Sequence, residues 1–445
     1  MNTYTLGSLF DGSGGFPLAG SLCGVTPVWA AEIEPYPIAV TRSRFPNMIH
    51  LGDVSKINGA EIPPVDIITF GSPCQDLSVA GQRAGLKHKN NGDDETTRSG
   101  LFMEAVRIIK EMREATNGRY PTFALWENVP GAFSSNKGED FRVVLEELIK
   151  IIEPTATVPA ADKNGWPYAD CYMGDGWSLA YRVFDAQFWG VPQRRRRIHL
   201  IFDLRGERAG EILFKREGLR GYFEESRQER EEATRDAENS VGTADCAGKC
   251  VTYDARGNGD GKIVSTITGD HNNRITDYTS VVCYCLQGNG IDRADTAGCN
   301  GKGWREGVCY TLNTIDRPVV AHAMQAFGDY KDCGVAKGPS AVCVKYIVRR
   351  LTPTECARLQ GFPDKWGHPD RKEDLTEEEY RFWLDVRNTH AAINGKAVKD
   401  YTPAQMLTWY NKLHVDSSEY KMWGNGIALP PAVYCMQGMV EALCE

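Results

Sequence analysis

The feature that most restricts the fold is an alternation of two hydrophobic periods over the first 203 residues. Short apolar runs, "YTLGSLF", "TPVWAAEI", "VDIITFG", "TFALWENV" and "RRIHLIF", have the length and composition of buried strands. Between them, "EPYPIAVTRSRF", "SGLFMEAVRIIKEMREA" and "EDFRVVLEELIKIIE" place apolar residues at helical spacing. This alternation predicts an α/β domain on a parallel, doubly wound, Rossmann-like sheet. Ligands of such a sheet gather beyond the carboxyl ends of its strands, so chemistry is sought at that edge.

The texture changes after Asp203. Residues 204–240 are dense in charges of both signs and read as a solvated helix or linker. Residues 241–345 are rich in Gly, Asn, Asp and Thr, with β-like pieces such as "KIVSTIT" and "VCYTLNTI", and read as a small, loop-rich domain. Two imperfect copies of one pattern lie there, each opening on Gly-Asn-Gly and closing on Val-Val. Two copies are too few for a solenoid and fit similar hairpin units. Helical character returns over 346–445. Thr352 and Glu355 have capping-box spacing, amphipathic stretches follow near 375–390 and 402–414, and a last helix starts near Pro430.

A chain of 445 residues, 42% hydrophobic and 25% charged, can bury a sizeable core and divides into more than one domain. No apolar run is long enough to cross a bilayer, and the first residues lack the pattern of a secretory signal. The 14 cysteines are therefore expected as reduced thiols in a cytoplasm. The net charge of −8 argues mildly against a polyanionic partner. Basic islands at Gln193–Arg197 and Val344–Arg350 make charge a local matter.

The chemistry-bearing residues fall at strand tips. "LFDGSGGF" (Leu9 to Phe16) follows the first strand and opens a helix, which lets the backbone approach a ligand closely. Glu32 ends the next strand about 20 residues on, where a ribose hydroxyl pair is usually held. Asp53 in "LGDV" lies within reach of an adenine amine. Together they suggest a nucleoside-containing cofactor without saying which. Cys74, in "FGSPCQDLS", follows another strand, and Pro73 stiffens its turn. Glu127 and Asn128 end a further strand, and burial there would let Glu127 hold a proton near neutrality. A thiol, a protonated carboxyl and a nucleoside on one edge point to an enzyme.

These motifs, in this order, resemble the DNA (cytosine-5)-methyltransferase family from residue 5 to residue 440. The glycine motif is matched by Phe10 to Phe16, the Pro-Cys-Gln motif by Pro73 to Gln75, and the Glu-Asn-Val motif by Glu127 to Val129. Gln193, Arg195 and Arg197 match Gln-x-Arg-x-Arg, while "RRLTPTECARLQGFP" and "WGNGIALPPAV" resemble the two C-terminal motifs. The resemblance implies the class I S-adenosylmethionine-dependent fold, S-adenosyl-L-methionine as cofactor and double-stranded DNA as partner. It implies that Cys74 adds to cytosine C6, that Glu127 stabilises the ring through N3 and the amine, and that Arg197 contacts O2 with Arg195 bracing the site. The base must leave the duplex for this. Phe10 would pack on the adenine, Glu32 would take the ribose, and Asp53 the adenine amine. Gly12, Gly14, Gly15, Val54, Pro73, Leu101, Asn425 and Ile427 would line the rest of the cofactor pocket. Gln75, Ser78, Gln193 and Arg194 are the implied contacts to DNA or the extruded nucleotide. Because "RRRR" leads into a strand, alternate members must face opposite sides, which favours Arg195 and Arg197 at the site.

The same resemblance makes residues 1–203 the catalytic domain, residues 75–100 a loop closing over DNA, and 241–345 the target-recognition domain. Three departures stand out: Ile33 where an aromatic is frequent, Gly426 where Ser is frequent, and a helical insert at 364–423, read as an elaboration of the small domain. The competing readings are an RNA cytosine-5 methyltransferase, an NAD-dependent oxidoreductase, and a zinc-binding DNA module on Cys246, Cys250, Cys283 and Cys285. The oxidoreductase leaves Cys74, Glu127 and the arginines without a task. The cysteine spacings suit structural zinc poorly, so no metal is expected. A monomer is expected, bacterial or phage-encoded, either companion to a restriction endonuclease or an orphan.

Overall fold

The computed structural model describes residues 4–72, 100–191, 193–214 and 352–444, and the backbone of 252–254, 280–282, 285–286 and 304–305. In chain order the first domain contains β1 (Thr5–Leu9), α1 (Gly15–Leu22), β2 (Thr26–Ala31), α2 (Pro35–Arg44), β3 (Ile49–His50) and β4 (Ile67–Phe70). It continues with α3 (Leu101–Ala115), β5 (Phe123–Asn128), α4 (Glu139–Ile149), β6 (Ala169–Gly174), β7 (Trp177–Asp185), β8 (Arg196–Asp203) and α5 (Ala209–Phe214). The strands form one eight-stranded sheet of order β3-β2-β1-β4-β5-β8-β7-β6.

The expectation of an all-parallel sheet holds for β3, β2, β1, β4 and β5 only. β8 runs antiparallel to β5, and β7 and β6 continue antiparallel beyond it. The cause is local. Asp175 and Gly176 form a two-residue turn between β6 and β7, with Gly176 at φ 72°, where a side chain is disfavoured. Gly174 is needed for a second reason, since a Cβ there would lie 2.2 Å from the Trp177 indole. β8 thus reaches β5 after a hairpin instead of a crossover helix, so its amino end lies beside the carboxyl end of β5.

Both faces of the sheet are covered. Leu6, Ile67, Phe123, Leu125 and Ile201 pack with α1 and α5 on one side. Leu9, Ile68, Phe70 and Trp126 pack with Phe102 of α3 and Phe141 of α4 on the other. Among the described residues no single helix is long and apolar enough to cross a membrane.

The C-terminal part consists of α6 (Pro353–Leu359), α7 (Glu377–Ile393), α8 (Pro403–Tyr410), α9 (Asp416–Asn425) and α10 (Leu429–Cys444). Capping boxes start three of them, pairing Thr352 with Glu355, Thr376 with Glu379 and Thr402 with Gln405. α10 returns to the sheet domain, where Leu443 O accepts from Tyr4 Oη at 2.6 Å and Ala442 O accepts from Arg208 Nη1 at 2.6 Å. The insert docks on the sheet domain: Leu375, Trp383, Val386, Met406 and Tyr410 bury Ile38 and Ala39 of α2. Within 241–345, Thr252–Asp254 pairs antiparallel with Ser280–Val282, and Cys285–Leu286 with Trp304–Arg305. Apart from these short strands, the repeated pattern and its β-like pieces lie outside the described residues, as do 215–240 of the charged stretch. Its first part, expected as solvated helix or linker over 204–240, forms α5 instead, with Ala209, Ile212 and Leu213 buried against the sheet.

An ion-pair cluster fastens the insert to α2. Glu34 faces His390 at 3.5 Å and Lys421 at 2.9 Å. His390 first, then Lys421, hold the Glu34 carboxyl down at about 2. A depressed carboxylate stabilises fully above its ordinary range and loses that contribution as pH falls toward the folded value. Glu34→Gln is therefore expected to flatten the loss of stability between about pH 5 and pH 2, measured as urea midpoints across that range. An acid limb as steep as that of the natural chain would show that the cluster does not hold the insert.

Candidate active site

The first half of the site is the turn after β1. Phe10 has φ 56°, Gly12 φ 55° and Gly14 φ 76°, a run of left-handed backbone that brings the chain back under the first turn of α1. Glycine is required at Gly14 by space as well, because a Cβ would lie 2.8 Å from Thr41 Cγ2. Glu32, just past β2, accepts from the backbone amides of Gly12 at 2.8 Å, Ile33 at 2.7 Å and Glu34 at 2.9 Å. Burial raises its pKa against these three donors. A carboxylate offers about four lone-pair directions, so Glu32 ties the glycine turn and keeps roughly one direction for a ligand. Asp53 spends Oδ1 on Ser55, accepting from its amide at 3.0 Å and its hydroxyl at 2.8 Å. Phe10, Val54 and Leu101 belong to the apolar cluster on the α3–α4 face of the sheet.

The C-terminal motifs close this half from outside. Trp366 Nε1 donates to Ser13 O at 2.8 Å, and Ile427 packs so closely that a Cβ on Gly15 would lie 2.5 Å from it. Asn425 ends α9 exposed to solvent, whereas Ile427 is buried.

The second half is the corner between β5 and β8. Glu127 stands opposite His199 in the ladder, and Asn128 opposite Ile198. Arg197 Nε lies 3.2 Å from Glu127 Oε1, both side chains nearly buried. This contact is an ion pair and not a hydrogen bond, and among the described residues Oε1 has no hydrogen-bond donor. Burial raises the pKa of Glu127, opposed by Arg197 and then Arg195. His199 adds no charge here, since burial pushes it down to about 3. Arg195 is buried and donates through Nη2 to Gly424 O at 3.3 Å and to Gly426 O. Arg196 turns the other way, over the Tyr168 ring at 4.7 Å, and Arg194 is exposed. Gln193 is fully buried with neither end of its amide hydrogen-bonded.

β4 leads into this corner. Asn128 Nδ2 donates to Ser72 O at 3.1 Å, and Trp126 Nε1 donates to Ser72 Oγ at 3.2 Å. A Cβ on Gly71 would lie 3.6 Å from Glu127 Oε2. Pro73, Cys74, Gln75 and Ser78 follow directly and lie outside the described residues. One neighbour of the cofactor turn was given no role by the sequence reading. Asp11 is buried, accepts from Ser8 Oγ at 2.7 Å and leaves Oδ2 without a partner. Burial pushes its pKa up to about 8. The signal available was an acid inside a glycine turn.

A family model described as C-5 cytosine-specific DNA methylase matches residues 4–151 and 173–381. The chain belongs to that family. The chain is 28% identical to a protein of Escherichia phage P1 named DNA N-6-adenine-methyltransferase, over 100% of its own length and 62% of the relative's. It is 30% identical to the type II methyltransferase M.BsuFI of Bacillus subtilis, over 43% of itself and 37% of the relative. It thus spans less than two thirds of either relative. The crystal structure of the S. pombe Dnmt2 methyltransferase shares the fold, with a TM-score of 0.50 at 14% identity over 99% of each chain.

The glycine at 426 follows from the fit between α9 and the cofactor turn. A Cβ there would lie 2.8 Å from Ser13 Oγ and 3.1 Å from Met422 O. Gly426→Ser is expected to cost about 1–3 kcal/mol of stability, with most of the loss recovered by adding Ser13→Gly. Chemical denaturation of the single and double variants measures this; equal losses in both would remove Ser13 as the cause.

Proposed function

We propose that this chain methylates carbon C5 of cytosine in a specific duplex DNA sequence, with S-adenosyl-L-methionine as methyl donor. The observation that carries the reading is the corner where a buried carboxyl with an unmet oxygen, Glu127, lies against Arg197 beside the strand end that leads to Cys74.

The residues at the other end of the edge fit the cofactor. The direction left on Glu32 suits ribose hydroxyls, Oδ2 of Asp53 suits an adenine amine, and Phe10 with Val54 and Leu101 supplies an apolar wall. Gly12, Gly14, Gly15, Pro73, Asn425 and Ile427 complete the proposed pocket. S-adenosyl-L-methionine, when bound, supplies an electrophilic methyl group.

The chain's residues act on the base. Cytosine C5 is a poor nucleophile, and addition of the Cys74 thiolate to C6 makes it enamine-like. Glu127, its pKa raised by burial against Arg197 and Arg195, gives a hydrogen bond at N3 in its protonated form and accepts one from the amine, so charge entering the ring during addition is stabilised. Arg197 holds O2, and Arg195 fixes this corner to the end of α9. Once C5 carries the methyl group, a water molecule takes the C5 proton and the C6–S bond breaks, returning Cys74 as thiolate and releasing the product. The target base is extruded from the duplex, with Gln75, Ser78, Gln193 and Arg194 contacting DNA and residues 241–345 reading the sequence.

A second reading, methylation of adenine N6, is favoured by the name of the phage P1 relative, a DNA N-6-adenine-methyltransferase. It needs no thiol, because an exocyclic amine is itself the nucleophile. Expression in a methylation-free host separates the two: cytosines protected from bisulfite within one short motif support the first, and N6-methyladenine alone supports the second. Incubation with transfer RNA tests the RNA alternative.

Cys74→Ser is expected to abolish transfer while DNA and cofactor binding persist; turnover near that of the natural chain would refute the covalent route. Glu127→Gln is expected to lower the transfer rate about 10²–10⁴-fold. In the natural chain the rate should fall as pH rises through the raised Glu127 pKa, and this limb should vanish in the variant.

A further inference from the structure

The insert that docks on α2 brings together three metal-ligating side chains that the reaction does not use. His368 comes from the loop after α6, His414 from the residues before α9, and Glu419 from the first turns of α9. The two imidazole Nε2 atoms and Glu419 Oε2 converge, all within 4.8 Å of one another. His414 Nε2 is 3.0 Å and His368 Nε2 3.9 Å from Glu419 Oε2. Ligands about 2.0–2.2 Å from a tetrahedral ion are about 3.4 Å apart, a value these two separations bracket.

The surroundings fit a built site. Glu419 is only 2% exposed, and among the described residues no Lys or Arg forms an ion pair with it. Its other oxygen, Oε1, accepts from Trp423 Nε1 at 3.2 Å, which leaves Oε2 aimed at the histidines. Such an outer partner orients a ligand carboxylate. Gly367 presses against the same carboxylate so closely that a Cβ would lie 2.5 Å from Oε1, and this places His368 beside it. Tyr36 of α2 stacks on His414, with ring centres 5.9 Å apart and planes at 10°, and donates its hydroxyl to Gly367 O. One residue of α2 therefore braces both ligand-bearing segments. The His368 and His414 side chains are 43% and 36% exposed, so water can reach a fourth position.

We propose that His368, His414 and Glu419 bind a divalent transition metal ion, Zn2+ by the chemistry of two imidazoles, one carboxylate and a water. The site does not rest on the methyl-transfer reading. Its consequence is mechanical. The ion joins the loop carrying Trp366, whose indole holds Ser13, to α9, whose end holds Gly15 through Ile427. It thereby staples the outer wall of the glycine turn.

The test uses the full chain, stripped with chelator and titrated with Co2+ or Zn2+ alone. The expected result is one ion per chain, visible absorption of four-coordinate Co2+ that Zn2+ displaces, and a higher thermal midpoint with metal. His368→Ala, an exposed change that leaves the fold intact by circular dichroism, should weaken binding at least about 10-fold and remove the thermal shift. Glu419→Gln keeps the Trp423 contact and should do the same. A natural chain that binds no stoichiometric Co2+, or a cobalt spectrum that survives in His368→Ala, overturns the proposal.

Discussion

The site depends on one strand pairing, the antiparallel contact of β8 with β5. Every parallel strand sends its carboxyl end to the ligand edge. A parallel β8 would therefore have carried Arg195 and Arg197 to the opposite edge. Running the other way, with Asn128 against Ile198, it places Arg197 beside Glu127. The result is a buried carboxyl under two opposing influences. Burial favours its neutral form and the guanidinium groups favour its charge, and burial prevails. A carboxyl balanced in this way can donate from its protonated oxygen and accept at the other, the pattern the proposed pyrimidine contact uses.

The C-terminal helices act as the outer brace for both halves of that edge. Arg195 joins the entrance of β8 to the carbonyls of Gly424 and Gly426, while Trp366 and Ile427 hold the glycine turn from the same side. The glycine turn and the β5–β8 corner thus lean on one short segment, 424–427. The insert reinforces it through α2, where Trp383 and Tyr410 bury Ile38 and Ala39 and Glu34 meets His390 and Lys421.

Much of this was legible before any coordinates. The strands ending at Leu9, Phe70 and Asn128 are short, mostly apolar runs, and the Thr352 cap with Glu355 is a local pattern. Local patterns survive in sequence because neighbouring residues supply all their partners. The reversal of β8 was not read, although "GDGW" holds the Asp-Gly turn that sets β7 against β6. Register between distant strands is decided by packing, and no local pattern encodes it. The docking of the helical insert on α2 was not read, since an amphipathic face shows that it must be buried but not against what. Asp11 and the His368–His414–Glu419 cluster escaped for a related reason: their meaning lies in burial and in convergence of dispersed segments.

The account's central claim is that a thiol bonds transiently to a pyrimidine held at the Glu127–Arg197 corner. Incubating the protein and S-adenosyl-L-methionine with duplex carrying 5-fluorocytosine in the methylated motif, followed by peptide mass spectrometry, tests it directly. The account predicts an irreversible DNA adduct on the peptide containing Cys74, lost when Arg197 is replaced. Methylation of the ordinary motif with no adduct on the fluorinated one would contradict it.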